Sequence, residues 1–307
     1  MRVLITGASG HIGGAAARLL RDRGHSIRAA VRCLDRAPEG CEAVRLDLAD
    51  ATPDDITRAT TGCDAIVHAA AWMHDDPNAE NALSVNAIAT LRLLEAARNH
   101  ARVFVLISGM IFLRKPLTGS VCEEYPVEMP RDLYGLGKLA AEGLARWFAG
   151  QAPPYRVVIL RPSSPVGPGL RRRRIFSLFC DAAAAGKPIY LHGSGTRVQD
   201  YVDARDAARA TAAAIEQPNA AGVFHIGSGR AVSNLELARR CAAILNPSAE
   251  IRFSGQPDPE EGPDWVLDIS RAARELNWTP AIPLEDSIRD YAAWRNAAPD
   301  RAREDDP

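Results

Sequence analysis

Tyr134 and Lys138 stand four residues apart in the run DLYGLGKLAAE (132–142), and residues so spaced lie on one face of a helix. A phenol beside an ammonium can move a proton, because the cation favours the phenolate and draws the phenol below its usual pKa of about 10. Spacing alone favours a plainer account, an aromatic at a helix start and a surface lysine paired with Glu142. A second set of residues could handle phosphate. Gly7, Gly10 and Gly13 follow the apolar run RVLIT and open a helical pattern, so the backbone can turn sharply and bring a pyrophosphate to the positive helix end. A plain strand–helix turn would also want glycine; the position of the triplet after the first of several strands favours the nucleotide. The four arginines 171–174 read equally as a solvated loop or as a diphosphate clamp, since guanidinium pairs with phosphate oxygens bidentately.

Such groups need a scaffold, and the apolar pattern supplies one. Buried-strand runs occur at 2–6, 26–31, 43–46, 63–68, 102–108 and 156–160, with helical stretches between several of them, notably 79–98. Strands alternating with helices predict an α/β fold, a Rossmann-type doubly wound parallel sheet covered on both faces. After residue 162 the pattern changes to a helix at 175–185, a strand at 188–192, and a strand and helix over 198–215 that are expected to return to the main sheet. A helix at 233–245 and another at 284–296 follow. The expected division is a dinucleotide-binding domain of 1–162 plus about 198–218, a smaller C-terminal α/β substrate lobe of 163–197 plus 219–300, and a frayed tail of 301–307.

The chain has 307 residues and a formal net charge of −1, which gives no electrostatic case for nucleic acid or an anionic membrane as partner. The six cysteines are scattered, with no Cys-x-x-Cys and no histidine placed to complete a metal site, so no metal is expected. No apolar run is long enough to span a bilayer and no signal-peptide layout is present, so the expected location is cytoplasmic.

In order along the chain, GASGHIG (7–13), LDLAD (46–50), VHAAA (67–71), NAIAT (86–90), Tyr134-x-x-x-Lys138, LRPSSPVGPG (160–169), GSGTRVQDYVDARDAA (193–208), VFHIGSG (223–229) and LNWTPAIPLEDSI (276–288) resemble the extended short-chain dehydrogenase/reductase superfamily, and within it the NAD-dependent epimerase/dehydratase family. Each motif is weak; together and in this order they are specific for fold and cofactor class, and much less so for substrate.

The resemblance implies that Tyr134 is the acid/base on a substrate hydroxyl or carbonyl, and that Lys138 lowers its pKa and bonds the nicotinamide ribose. It implies a dinucleotide held by Gly7, Gly10, His11, Ile12, Gly13 and Pro162, with Asp47 and Leu48 at the adenine and Ala69, Ala70 and Ala71 along the ribose and nicotinamide. Without it, Asp47 would be a routine strand-end aspartate. Strand two ends in Val31 where an NAD site commonly has an acid, and Arg32 follows, so the cofactor is NAD or NADP with a lean toward NADP. The family's strand five ends in two hydroxyl residues; Ser108 takes the first place, but Gly109 stands at the catalytic second, leaving Ser108 as the candidate hydroxyl. Met110 and Ile111 occupy the place of the acidic pair of sugar-nucleotide 4,6-dehydratases, and neither can move a proton, so dehydration is disfavoured.

Ser164, Arg174, Arg197 and Gln199 are the candidate substrate contacts. Gln199 stands where nucleotide-diphosphate binders carry Arg, and 257–264 is acidic where they carry another. The expected function is an NAD(P)-dependent oxidoreductase at a secondary alcohol or ketone, first an epimerase of a sugar or sugar nucleotide working through a transient keto intermediate. The alternative is an NADPH-dependent ketoreductase of a non-nucleotide substrate, and a third is a degenerate cofactor-sensing protein, against which the presence of both Tyr134 and Lys138 argues. By resemblance the chain forms a homodimer.

Overall fold

The computed structural model describes residues 1–73, 79–151 and 155–297; the tail expected at 301–307 lies outside them. In chain order the first half runs β1 (Arg2–Thr6), α1 (His11–Asp22), β2 (Ser26–Val31), β3 (Glu42–Arg45), α2 (Pro53–Thr60), β4 (Ala65–His68), α3 (Glu80–Leu83), a π-helical turn (Ser84–Ile88), α4 (Ala89–Ala97), β5 (Val103–Ile107), β6 (Gly119–Val121), α5 (Leu133–Ala149) and β7 (Arg156–Pro162). The second half continues with β8 (Ser164–Val166), α6 (Ile175–Ala184), β9 (Ile189–Leu191), β10 (Val198–Gln199), β11 (Tyr201–Asp203), α7 (Ala204–Glu216) and β12 (Gly222–Ile226). Then come β13 (Val232–Ser233), α8 (Asn234–Leu245), β14 (Ile251–Phe253), β15 (Trp265–Leu267), α9 (Ser270–Glu275) and α10 (Leu284–Ala297).

Among the described residues, seven strands form one parallel sheet in the order β12-β7-β5-β4-β1-β2-β3. Every residue of β4 and β5 is buried, as a sheet covered on both faces requires. Val3, Ile5, Val105 and Ile107 pack on one face with α1 and α7 residues such as Leu20 and Ala210. Leu4, Phe104 and Leu106 pack on the other with Ile56, Leu93, Leu94 and Ala145 from α2, α4 and α5. Chain order reverses between β1 and β4, which opens a crevice at their carboxyl ends, the place where such sheets bind ligands. The fold is thus Rossmann-like, as the alternation of strands and helices predicts.

Three expectations change. Gly222–Ile226 pairs in register with Val158–Pro162 as an edge of the main sheet, so the segment 219–300 gives its first strand to the Rossmann sheet instead of the lobe. Tyr201–Asp203 pairs with Ser164–Val166 outside that sheet, and only α7 returns, laying Ala204 and Ala208 against Ala15 and Ala16 of α1. These alanine faces allow close helix contact, and that contact draws α7 back. The expected 79–98 helix is broken by the π-helical turn, a local irregularity that recurs at functional sites.

The lobe has its own core. Phe176, Phe179 and Cys180 of α6 meet Leu237 and Cys241 of α8 and Ile288 and Tyr291 of α10, over the parallel pair β9/β14. No helix of the described residues is long and apolar enough to cross a membrane.

Candidate functional site

The glycine turn is tight by construction. Gly7 sits at φ +67°, and a Cβ there would come within 2.7 Å of the Ala70 backbone; one on Gly13 would come within 2.2 Å of the Gly7 carbonyl. Any side chain at either point would push β1, α1 and the end of β4 apart. Gly10 donates its N–H to the Gly7 carbonyl at 2.9 Å and caps α1 without a side chain, and no acid stands in the first turn. The N–H groups of His11, Ile12 and Gly13 therefore open α1 with no intrahelical acceptor and with the positive helix end uncompensated. This cradle fits a dinucleotide pyrophosphate.

Side chains hold the neighbouring strand end in place. Thr6 Oγ1 lies 2.7 Å from His68 Nδ1, His68 Nε2 lies 3.1 Å from Thr90 Oγ1, and the Ala70 N–H donates to Thr6 Oγ1 at 3.3 Å. Burial pulls His68 down to about 3, helped by the charge of Lys138, so the ring is neutral and serves as a strut. Ala69, Ala70 and Ala71 are half-buried beside the glycine turn. Pro162 ends β7, buried and paired with Ile226. Leu48 is buried, and half-buried Asp47 accepts the Ala49 N–H at 3.1 Å. Val31 is buried at the end of β2, with Arg32 exposed next to it. The His11 ring turns toward the loop 167–169, where Gly169 lies 3.5 Å from its Cδ2 were a Cβ present. Burial lowers His11 to about 4 against the field of Asp203, leaving its backbone for the cradle.

The second half of the site rides on α5. Asp132 caps the helix by accepting the Gly135 N–H at 2.7 Å. Gly137 lets α5 dock on the π-helical turn, since a Cβ there would meet the Ala82 carbonyl and Asn86 Cβ at 2.8 Å. Asn86 in turn accepts the Trp72 N–H at 2.8 Å and donates to the Trp72 carbonyl at 3.2 Å. Lys138 is 4% exposed; its Nζ donates to the Ile107 carbonyl at 2.9 Å and lies 6.0 Å from the centroid of the Tyr134 ring. Ser108 therefore follows directly on the carbonyl that holds the ammonium. Its N–H donates to Leu160 at 2.8 Å, while its Oγ is buried with no hydrogen-bond partner in the protein. A Cβ on Gly109 would meet nothing within 4 Å, so the missing second hydroxyl leaves open space.

The electrostatics differ from the expectation for Tyr134. Burial raises its pKa, and the cations that oppose the rise are Arg172 and Arg174, not Lys138. Lys138 is itself desolvated, pulled down to about 8, with Glu142 opposing the fall. A fully buried ammonium whose contact is to a carbonyl tethers α5 to β5 more than it polarises the phenol. The alternative pairing of Lys138 with Glu142 also changes, because Arg161 takes both Glu142 oxygens, Nε at 2.8 Å and Nη2 at 2.7 Å.

The candidate substrate residues are only partly brought together. Ser164 donates to Gln199 at 3.0 Å, fixing β8 against β10. Arg174 is exposed at the start of α6, on the side that faces Tyr134. Arg197 is not presented to the cleft as an open cation. It pairs with Glu260 and lies 3.5 Å from Asp258, both from the acidic segment 257–264, so the acids of one departure from the family pattern engage the arginine of the other. Sequence reasoning missed two buried networks. Asp200 accepts from Ser163 Oγ at 2.8 Å, the Ser228 N–H at 2.7 Å and the Arg230 N–H at 3.1 Å, tying the loops after β7 and β12 together. The Glu142–Arg161 pair had a sequence signal only in Glu142, four residues beyond Lys138. Among the described residues no cluster of His, Cys, Asp and Glu could hold a metal ion.

Comparison with known proteins gives this geometry a lineage. The model of the NAD dependent epimerase/dehydratase family matches residues 3–227. A dTDP-glucose 4,6-dehydratase of Actinoplanes sp. is 30% identical over 76% of this chain and 74% of its own length. The UDP-glucuronic acid 4-epimerase of Bacillus cereus, solved with UDP-glucuronic acid and NAD, superposes with a TM-score of 0.81 at 25% identity, covering 97% of this chain and 99% of that one. The UDP-glucose 4-epimerase of Thermotoga maritima, at 21% identity and a TM-score of 0.85 over 98% of this chain and 100% of that one, shares the fold.

Proposed function

The chain belongs to the NAD dependent epimerase/dehydratase family, and on that premise we propose that it is a sugar-nucleotide epimerase acting at a secondary alcohol through a transient ketone. The observation that carries this reading is the tether from Lys138 Nζ to the Ile107 carbonyl, which sets the Tyr134 helix at the carboxyl end of β5, beside Ser108. The glycine cradle would hold the pyrophosphate of a dinucleotide whose nicotinamide would supply reversible hydride exchange. Tyr134 takes the proton of the substrate hydroxyl as the ketone forms and returns it when the ketone is reduced on its other face. Burial makes the phenolate costly, so Arg172 and Arg174 supply the opposing charge. Ser108 Oγ, buried and without a protein partner, is the hydroxyl that would position the same substrate oxygen. Lys138 keeps α5 in register with β5, and its remaining N–H bonds would serve to hold the nicotinamide ribose. Dehydration remains disfavoured, because Met110 and Ile111 offer no second acid and base.

A second reading, NADPH-dependent reduction of a ketone lacking a diphosphate, is favoured by the capture of Arg197 by Asp258 and Glu260. The lean toward NADP rests on exposed Arg32 after β2, where a guanidinium suits a 2′-phosphate. Exposed Leu83, Ile88, Leu133 and Trp147, on α3, the π-helical turn and α5, offer an apolar face for a homodimer. The six cysteines are free thiols, which suits the cytoplasm.

One experiment separates the two readings. The purified chain is mixed with UDP-sugars and followed at the reduced-nicotinamide absorbance band and by NMR of the sugar. Epimerisation gives interconverted sugars with no net change in reduced cofactor. Stoichiometric consumption of NADPH on a ketone supports the second reading. Full turnover by Tyr134→Phe sinks both.

A further inference from the structure

Three carboxylates within four residues, Asp258, Glu260 and Glu261, all turn to the loop 193–197 that leads into β10. Glu261 accepts the Ser194 N–H at 2.6 Å and the Ser194 hydroxyl at 2.9 Å, and Thr196 Oγ1 lies 2.8 Å from that hydroxyl. The carboxylate lies flat against Gly193, where a Cβ would come within 2.5 Å of it. Hydrogen bonding from the Ser194 hydroxyl holds Glu261 below the ordinary carboxylate range, so it is an anion. Arg197 pairs with Glu260 and lies 3.5 Å from one oxygen of Asp258, whose other oxygen lies 3.4 Å from Asn234 Nδ2.

Backbone and hydroxyl donors at a tight turn beside a guanidinium make a receptor for an oxyanion. Here the oxyanions are the chain's own. The loop adjoins the cleft: two residues after Arg197, Gln199 accepts the Ser164 hydroxyl at 3.0 Å, just past the carboxyl end of β7. Beyond Glu261 the chain leaves this loop. A Cβ on Gly262 would come within 3.3 Å of Pro116, the Gly119 N–H donates to the Asp264 carbonyl at 3.1 Å, and β15 pairs with β6. Residues 258–264 therefore form a strap from the lobe to the chain that follows β5 and Ser108. Its lobe end is held by groups open to water, for the Glu260 side chain is 65% exposed and that of Arg197 22%. Ion pairs this exposed add little to stability, so an anion of higher charge can take their place.

We propose that residues 258–261 are a self-occupying latch: their carboxylates fill an oxyanion receptor made by Ser194, Thr196 and Arg197, and the diphosphate of a nucleotide substrate binds there by displacing them. This deepens the sugar-nucleotide reading above and rests on it. It also reconciles Arg197 with that reading, because the guanidinium is covered only while the latch is closed. A latch closed most of the time reduces the apparent affinity for the diphosphate by the fraction of molecules that are open.

The test titrates the full chain with UDP by calorimetry, with uridine as the phosphate-free control. Two variants open the latch without changing its charge. Gly193→Ala puts a methyl where the Glu261 carboxylate lies, and Glu261→Asp draws the carboxylate back from Ser194 by one methylene. Each should tighten UDP binding about three- to tenfold and leave uridine binding unchanged. Alanine is strained at the Gly193 φ of +60°, so Glu261→Asp answers alone should the first variant not fold. Glu260→Gln with Glu261→Gln should tighten UDP binding at least as much, and adding Arg197→Gln should remove the gain. Tightening only where charge is removed is the field of the carboxylates acting at a distance, and it overturns the proposal. Weaker or unchanged UDP binding in the charge-conserving variants marks the segment as a structural staple and overturns it too. Tighter UDP binding in a chain that turns over no UDP-sugar upholds the latch and removes the epimerase reading. Turnover of a UDP-sugar with unchanged UDP affinities removes the latch alone, and no UDP binding by any variant removes both.

Discussion

Replacing Lys138 by methionine tests the buried ammonium, and the sign of its effect is fixed by linkage. Burial pulls this lysine from 10.5 to about 8. At about 1.4 kcal/mol per tenfold change in proton affinity, the desolvated charge costs the folded state about 3 kcal/mol at neutral pH. The folded chain releases the proton first, so from about 8 upward the unfolded chain carries more protons and wild-type stability rises with pH until the unfolded lysine titrates. Integrated between about pH 7 and about pH 9.5, the lysine contributes a gain of about 2 kcal/mol. Methionine fills a similar volume and has no such term. Tyr134, Tyr155, Tyr201 and Tyr291, all raised by burial, lose stability over the upper part of the range, but that loss is common to both proteins and cancels in the difference. The assay is urea unfolding followed by circular dichroism at the two pH values, for wild type and Lys138→Met. The variant should be relatively more stable at the lower pH, with the gap closing by about 2 kcal/mol at the higher one. A gap that does not change with pH would mean that the ammonium is solvated, and the tether to Ile107 would lose its place in the mechanism.

Three further outcomes follow from the same geometry. Gly13→Ala drives a methyl into the Gly7 carbonyl, so it should cost roughly 1–3 kcal/mol in unfolding free energy and weaken dinucleotide binding in a fluorescence titration. Gly109→Ser should fold with an unchanged melting temperature, because its Cβ enters open space, and should raise kcat/KM severalfold, whereas Ser108→Ala should lower it about tenfold in steady-state kinetics. If the lean toward NADP holds, Arg32→Ala should weaken NADPH binding about tenfold and leave NADH binding unchanged in parallel titrations, because a guanidinium there suits a 2′-phosphate that NADH lacks.

The residues along the chain determined the class of fold and the ends of the site. Short-range rules govern both: β-branched runs become buried parallel strands, a glycine triplet after the first strand makes a phosphate cradle, and an i, i+4 pair must share a helix face. Those rules put Gly7, Gly10 and Gly13 at one strand–helix turn and Tyr134 and Lys138 on one helix face, while the role of the pair came from a resemblance that runs the length of the chain. Tertiary structure decided what each group experiences. The charge opposing the burial of Tyr134 comes from Arg172 and Arg174, more than thirty residues away, and Lys138 spends its contact on a carbonyl of β5. Arg197 reads as a substrate contact until the chain folds back and Asp258 and Glu260 take it. Gly222–Ile226 joins the main sheet because the edge of β7 is there to pair with, and Arg161 meets Glu142 only where β7 passes behind α5. Desolvation and ion pairing depend on what packs around a group, and packing joins residues that are remote in sequence.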